Sequence, residues 1–239
     1  MTTSQPAMLQ TNRVTRRYGG FAALDGVDVR VQAGSIHGLI GPNGAGKSTL
    51  IDVLSGRADQ WDGSVLLEGE DISRLSIQAR RSRGLARSFQ RTSIFPNLTV
   101  RTQLELAARS GSSSNLATVM EQLSLQALAD EVAADLSYGE QRRLDLALAM
   151  IGAPRVLLLD EPAAGLTRAE SLTLAALLRD LARRLGITVL LVEHDMEVVF
   201  SICERITVLH LGKVLAEGPA EAIRKHPAVI EAYLGRSAA

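Results

Sequence analysis

The chain has 239 residues, enough for one large α/β domain or two small ones, and its 46% hydrophobic content supplies a full core. Its 26 Lys+Arg balance 26 Asp+Glu, which leaves neither the basic footprint of a nucleic-acid-binding surface nor a polybasic membrane anchor. The one cysteine, Cys203, excludes an internal disulfide framework, fits a reducing compartment, and reads as a small buried hydrophobe rather than a nucleophile.

Taken in chain order, Met1 to Asn12 lacks the charged-then-apolar pattern of a signal peptide. Leu9 to Tyr18, Val27 to Val31 and Ser64 to Glu68 predict β segments of a small antiparallel piece. Ser35 to Ile40 predicts the first buried core strand, and Ser48 to Leu54 a helix. Between them Gly41-Pro42-Asn43-Gly44-Ala45-Gly46-Lys47-Ser48 spells the phosphate-binding pattern G-x-x-x-x-G-K-[ST]. Its glycines let backbone N–H groups approach phosphate oxygens, and the helix N-terminus adds positive partial charge at the same place. Lys47 is expected to reach the β- and γ-phosphates, with Ser48 on magnesium. The stretch from Gly41 to Thr49 is thus the expected seat of a nucleoside triphosphate.

Further on, an Arg-rich helical stretch precedes a predicted strand, Leu85 to Phe89. Helical apolar spacing runs from Val100 to Leu128, interrupted by the flexible loop Gly111 to Asn115. Ser137 is placed to cap a helix that runs to Met150. Strand and helix then alternate: Val156 to Leu159, Arg168 to Leu185, Thr188 to Val192, Met196 to Ile202, Arg205 to His210. A helical tail, Ala220 to Leu234, is broken near Pro227. This alternation predicts an α/β fold with a mainly parallel sheet. Its longest apolar runs, such as Ile187 to Val192, fall well short of the ~20 residues of a membrane span, so membrane association is expected to come through a partner.

Val156 to Leu159 ends in Asp160-Glu161. Standing alone, two acids at a strand end would merely cap a turn. Beside a phosphate loop, Asp160 is placed to hold magnesium, and Glu161 to orient or deprotonate an attacking water. His194 follows another buried strand at the same edge, whereas His37, His210 and His226 lack such context and read as structural.

At this point the chain resembles the ATP-binding cassette ATPases. Leu136-Ser137-Tyr138-Gly139-Glu140-Gln141 resembles their signature motif, and it lies ahead of Asp160-Glu161 as the family requires. The resemblance covers about Leu9 to Gly235. It implies a P-loop core with a small antiparallel β subdomain and a helical signature subdomain, within one domain over 7–236. Residues 7–90 and 151–236 form the core, and 91–150 the helical part. It implies that Tyr18 stacks on adenine, that Gln90 touches magnesium and water and links to a membrane partner, and that His194 contacts the γ-phosphate. It also implies a head-to-tail pair of cassettes, identical or different, in which Ser137 and Gly139 of one face the γ-phosphate held by Lys47 of the other. ATP and Mg2+ are the implied cofactors. Two departures stand out: Tyr138 and Glu140 replace the usual Gly and Gln of the signature, and Thr167 stands where the family usually has an Asp that helps couple the two sites.

The wording around Arg87-Ser88-Phe89-Gln90, Glu161-Pro162-Ala163-Ala164-Gly165-Leu166, Glu193-His194-Asp195-Met196 and Glu231-Ala232-Tyr233-Leu234-Gly235 resembles the ATPase subunits of branched-chain amino-acid importers and their urea and amide relatives. That resemblance implies two integral membrane permeases, a second ATPase subunit and, indirectly, a solute-binding protein as partners. It implies a cytoplasmic position, peripheral on the inner face of the cell membrane, with no nucleic acid involved. The segment between Gln90 and Ser137 is shorter than is typical of that group. Competing expectations are the ATPase of a lipid or lipopolysaccharide exporter, and a non-transport ATPase of DNA repair or translation. Fewer than fifty residues separate Gln90 from Ser137, without heptads, which leaves no room for the long coiled coil of the repair proteins.

Overall fold

The computed structural model describes residues 7–88, 93–109 and 115–234. β1 (Ala7–Tyr18) and β2 (Phe21–Gln32) form an antiparallel hairpin across the Gly19-Gly20 turn. Leu9 and Thr11 are buried on one parity and Val14 on the other. The change falls at Arg13, whose φ is +45°, where the pairing register slips as in a bulge. β3 (Ile36–Ile40), buried at every position, leads through the glycine loop into α1 (Lys47–Ser55). β4 (Asp62–Leu67) and β5 (Glu70–Asp71) complete an antiparallel sheet of order β2-β1-β4-β5. α2 (Ile77–Ser82) and β6 (Leu85–Ser88) follow.

The next segment is helical: α3 (Val100–Arg109), α4 (Leu116–Gln122), two 3-10 turns (Gln126–Leu128 and Ala133–Asp135) and α5 (Tyr138–Met150). Then come β7 (Val156–Asp160), α6 (Arg168–Leu185), β8 (Thr188–Val192), α7 (Met196–Ile202), β9 (Arg205–His210), β10 (Lys213–Pro219), α8 (Ala220–Arg224) and α9 (Pro227–Leu234). The second sheet has the order β10-β9-β3-β8-β7-β6. It is parallel throughout except for β10, which runs antiparallel on β9.

This parallel sheet is buried on both faces, and the period of two divides each strand between two cores. Leu157 and Leu159 of β7 face a core shared with α5 and α6. Val156 and Leu158 face a second core shared with α1 and the antiparallel sheet. β8 divides in the same way, with Val189 and Leu191 on one side and Leu190 and Val192 on the other. The predicted α/β class and mainly parallel sheet are therefore present. β10 was not predicted: it is an edge strand with only one buried position, and its sequence ends in Glu217-Gly218-Pro219. β2 also starts at Phe21 rather than Val27. Phe89, Gln90, the loop 111–114 and Gly235 lie outside the described residues.

Two adjacent arginines of α2 tie the cores together. Arg80, 1% exposed, donates to the carbonyls of Val53 and Leu54 at the C-terminal end of α1 (2.7 Å each), and to Ser73 (2.8 Å) and Leu75 (3.1 Å). Arg81 donates to the carbonyls of Ala149 (2.7 Å) and Ile151 (2.5 Å) at the C-terminal end of α5. Each guanidinium answers carbonyls of the last turn of a helix, at the end where a cation is favoured.

Candidate functional site

The glycine loop closes over the start of α1. Gly46 is the residue before that helix, at φ +106°, and a Cβ there would lie 2.5 Å from the Ala23 carbonyl, so no other residue fits. No side chain caps the helix, which leaves its first N–H groups to an anion. Lys47 is buried, and its Nζ donates back to the carbonyls of Gly41 (2.8 Å) and Pro42 (3.1 Å). Asn43, Gly44 and Ser48 are exposed at the mouth. These residues line a cleft of about 420 Å³, together with Tyr18, Phe21, Glu161 and His194. That is within the usual size of a small-ligand site.

The chemistry-bearing side chains stand at the carboxyl ends of β7 and β8. Glu161, the residue after β7, has φ +52°, and its carboxylate lies 2.5 Å from His194 Nε2. Just after β8, buried Glu193 accepts the N–H groups of Ala163 (2.7 Å) and His194 (3.1 Å), and so ties the backbone of His194 to the loop that follows Glu161. Burial raises the pKa of Glu193 above the usual carboxylate range, against the pull of those N–H groups.

Asp160 lies at the last position of β7, 7% exposed. Arg87 of β6 donates to it (2.9 Å) and to Asp52 of α1 (2.6 Å). Burial raises the pKa of Asp160, and the charge of Arg87 opposes the shift. Ser48 and Asp160 are a hydroxyl and a carboxylate, the hard oxygen donors that magnesium takes. No group of three or more His, Cys, Asp or Glu suited to a metal occurs among the described residues. This donor set fits an ion that keeps few protein ligands and shares the rest with phosphate and water.

Tyr18 and Phe21 face each other across the hairpin turn, 53% and 60% exposed, with the Arg16 guanidinium 4.8 Å from the Tyr18 ring centre. Phe21 was not among the predicted residues. Its signal was the pairing of two aromatics around Gly19-Gly20, legible only once that turn is recognised as a hairpin.

The structure does not bring Ser137 and Gly139 to this cleft. They line a separate one of about 420 Å³, with Leu166, Glu170 and Leu177 of the loop before α6 and of α6 itself. Ser137 caps α5, and its hydroxyl donates to Glu140 (2.7 Å) while Glu140 also accepts the Ser137 N–H (2.8 Å). These hydrogen bonds hold the Glu140 carboxyl below its ordinary pKa. Gln90 lies outside the described residues; the nearest described residues on either side of it both meet Asp145 of α5, where the Ser88 hydroxyl donates to one oxygen (2.5 Å) and the Ser93 N–H to the other (2.8 Å).

Residues 24–164 match the ABC transporter family, and residues 213–239 match the C-terminal family described as branched-chain amino acid ATP-binding cassette transporter. BraF of Pseudomonas aeruginosa, a high-affinity branched-chain amino acid transport ATP-binding protein, is 37% identical over 251 residues, covering 96% of this chain and 98% of that one. LivG of Escherichia coli, a protein of the same description, is 37% identical over 255 residues, covering 98% and 100%. Among solved structures, the ADP conformation of an ATP-binding cassette of an ABC transporter superposes with a TM-score of 0.87 at 28% identity, over 96% of this chain and 99% of that one.

Proposed function

The chain belongs to the ABC transporter family, and we propose that it energises an importer of branched-chain amino acids or related small polar solutes, as one of two cassettes on a pair of membrane permeases. It binds ATP and couples its hydrolysis to transport. The observation that carries the residue roles is the convergence of the uncapped start of α1, Lys47 and the Glu161–His194 pair on one cleft. Lys47 exchanges its two loop carbonyls for the β- and γ-phosphates, while N–H groups from Gly41 to Thr49 cradle the chain of phosphates. Tyr18 and Phe21 pack on the adenine. Ser48 and Asp160, with Gln90, would hold magnesium, which when bound neutralises charge developing on the phosphates. Glu161 accepts the proton of the attacking water, and His194 holds that carboxylate in place beside the γ-phosphate.

The signature lies in a cleft of its own, so a second cassette has to supply Ser137 and Gly139 to the triphosphate bound on Lys47. The division into a core of 7–90 and 151–236 and a helical part of 91–150 follows the two hydrophobic cores only in part, because α5 shares one core with β7. Among the described residues no helix is long and apolar enough to cross a membrane; the peripheral role on the cytoplasmic face follows from the proposed importer role. A cleft of about 430 Å³ between α1, α2, β6 and α5, with Arg57, Ile77 and Leu148 in its walls, opens beside the segment of Gln90 and is the seat proposed for the permease.

Affinity purification from native membranes, followed by mass spectrometry, tests the assignment. Recovery of two polytopic permeases, a second cassette and an associated amino-acid-binding protein is the expected result. Recovery of an exporter's membrane subunits, or of no membrane protein at all, overturns it.

A further inference from the structure

Tyr138 and Arg142 replace no residue of the catalytic cleft, yet they grip the loop that follows Glu161. Tyr138 is the first residue of α5, and its hydroxyl donates to the Ala164 carbonyl (2.9 Å). Arg142, one turn on and 5% exposed, donates from Nη2 to the Tyr138 oxygen (2.7 Å) and to the same carbonyl (3.1 Å). The tyrosine ring lies on Gly165, at φ +82°, where a Cβ would come within 3.0 Å of Cε1.

From the other side, the Ala164 N–H donates to the Glu161 carbonyl (3.1 Å). Ala164 is therefore bonded to the backbone of the acid through its N–H, and to α5 through its carbonyl. One residue earlier, the Ala163 N–H is held by Glu193, the residue that also orients His194. Thr167, which stands where the family usually has an aspartate, is turned to its own helix: its hydroxyl donates to Glu170 (2.7 Å) in the capping box of α6.

We propose that Tyr138 and Arg142 are positioning residues that carry movement of the signature helix to Glu161 of the same chain, in place of an aspartate at position 167. The proposal rests on the two-cassette reading above, in which α5 shifts when the triphosphate of the partner cassette seats on Ser137 and Gly139. Hydrogen bonds weaken steeply with distance and angle, so a small shift of α5 either drags Ala164 with it or releases it. Through the turn from Glu161 to Ala164 the displacement reaches the acid. Each cassette then senses, on its signature, the nucleotide of the other and adjusts its own catalytic residue.

The test uses the full chain. Tyr138→Phe removes the hydroxyl and keeps the ring on Gly165. Steady-state MgATP hydrolysis is expected to show kcat lowered by roughly fivefold, half-saturation changed less than about twofold, and a Hill coefficient falling toward one. Arg142→Ala is expected to act alike, and the double variant to be no slower than either single one, because both side chains share one acceptor. Thermal unfolding of Tyr138→Phe is expected to match wild type. Wild-type turnover and Hill coefficient in Tyr138→Phe, or multiplicative losses in the double variant, overturn the clamp. Glu161→Gln and Glu161→Gln/Tyr138→Phe are both expected to dimerise with MgATP. A Glu161→Gln chain that stays monomeric with MgATP both alone and with the second cassette recovered from membranes overturns the two-cassette reading, and the coupling with it. A dimer with unaltered Tyr138→Phe kinetics overturns the coupling alone.

Discussion

His37 is wholly buried in β3, with Nε2 2.8 Å from the Thr207 hydroxyl. Burial first, and the charge of Arg205 second, push its pKa from 6.5 down to about 4. The unfolded chain takes up a proton below pH 6.5 that the folded chain refuses until about pH 4. This histidine therefore costs no stability above pH 6.5, and stability falls as pH drops through that window. The expected loss between pH 7.5 and pH 5 is about 2 kcal/mol, read by urea unfolding at the two values, and His37→Gln is expected to remove that difference. Beyond the other end of the same strand, at the start of α1, the Lys47 Nζ donates to the carbonyls of Gly41 and Pro42. Lys47→Ala removes a charge-assisted phosphate contact, so ATP binding measured by calorimetry is expected to weaken roughly 10- to 100-fold, with little change in melting temperature.

Among the elements, α2 is a helix of only 6 residues that holds others in place. Arg80 answers four carbonyls from a buried position, so Arg80→Ala takes a donor from each, with Val53 keeping the Gly56 N–H, and is expected to cost about 3 kcal/mol or more in denaturant unfolding. Arg83, exposed just beyond α2, is expected to cost about 0.5 kcal/mol or less on the same substitution. Nothing in the local pattern of α2 distinguishes these arginines. The difference lies in which helix ends meet them, a fact of tertiary packing. Legibility elsewhere follows the same line. The bounds of α6, α7, β8 and β9 were read as the structure has them, because caps and uninterrupted apolar runs are local signals. β10 escaped because an edge strand needs little apolar alternation, and the first half of β2 because Ala22 and Ala23 are weak strand formers. In the site, the phosphate loop, Asp160, Glu161 and His194 were found from motifs at strand ends. Glu193 and Arg87 were not, since their work is to hold other residues, and their partners lie about 30 and 73 positions away.

For the whole molecule, the two clefts are separate, so under the two-cassette arrangement proposed above a lone chain would be an incomplete enzyme. Glu161→Gln is expected to keep ATP binding, block turnover and double the apparent mass on size-exclusion chromatography with MgATP, but not with MgADP. The grip of Arg81 on the C-terminal end of α5 bears on how such a pair closes. That end is held, through α2 and Arg80, to the far end of α1, so in the two-cassette arrangement proposed above a swing of the signature helix would pivot there and not at Ser137. α5 has 13 residues, an arm of about 20 Å, on which a turn of about 10° carries the tip about 3 Å. The pinned end would meanwhile stay nearly still, beside the proposed permease seat, so a slight tilt there would become a full contact made or lost at the nucleotide of the proposed partner. Leverage of this kind would let one small helix hold the fulcrum of the proposed pair while the signature tip does the travelling.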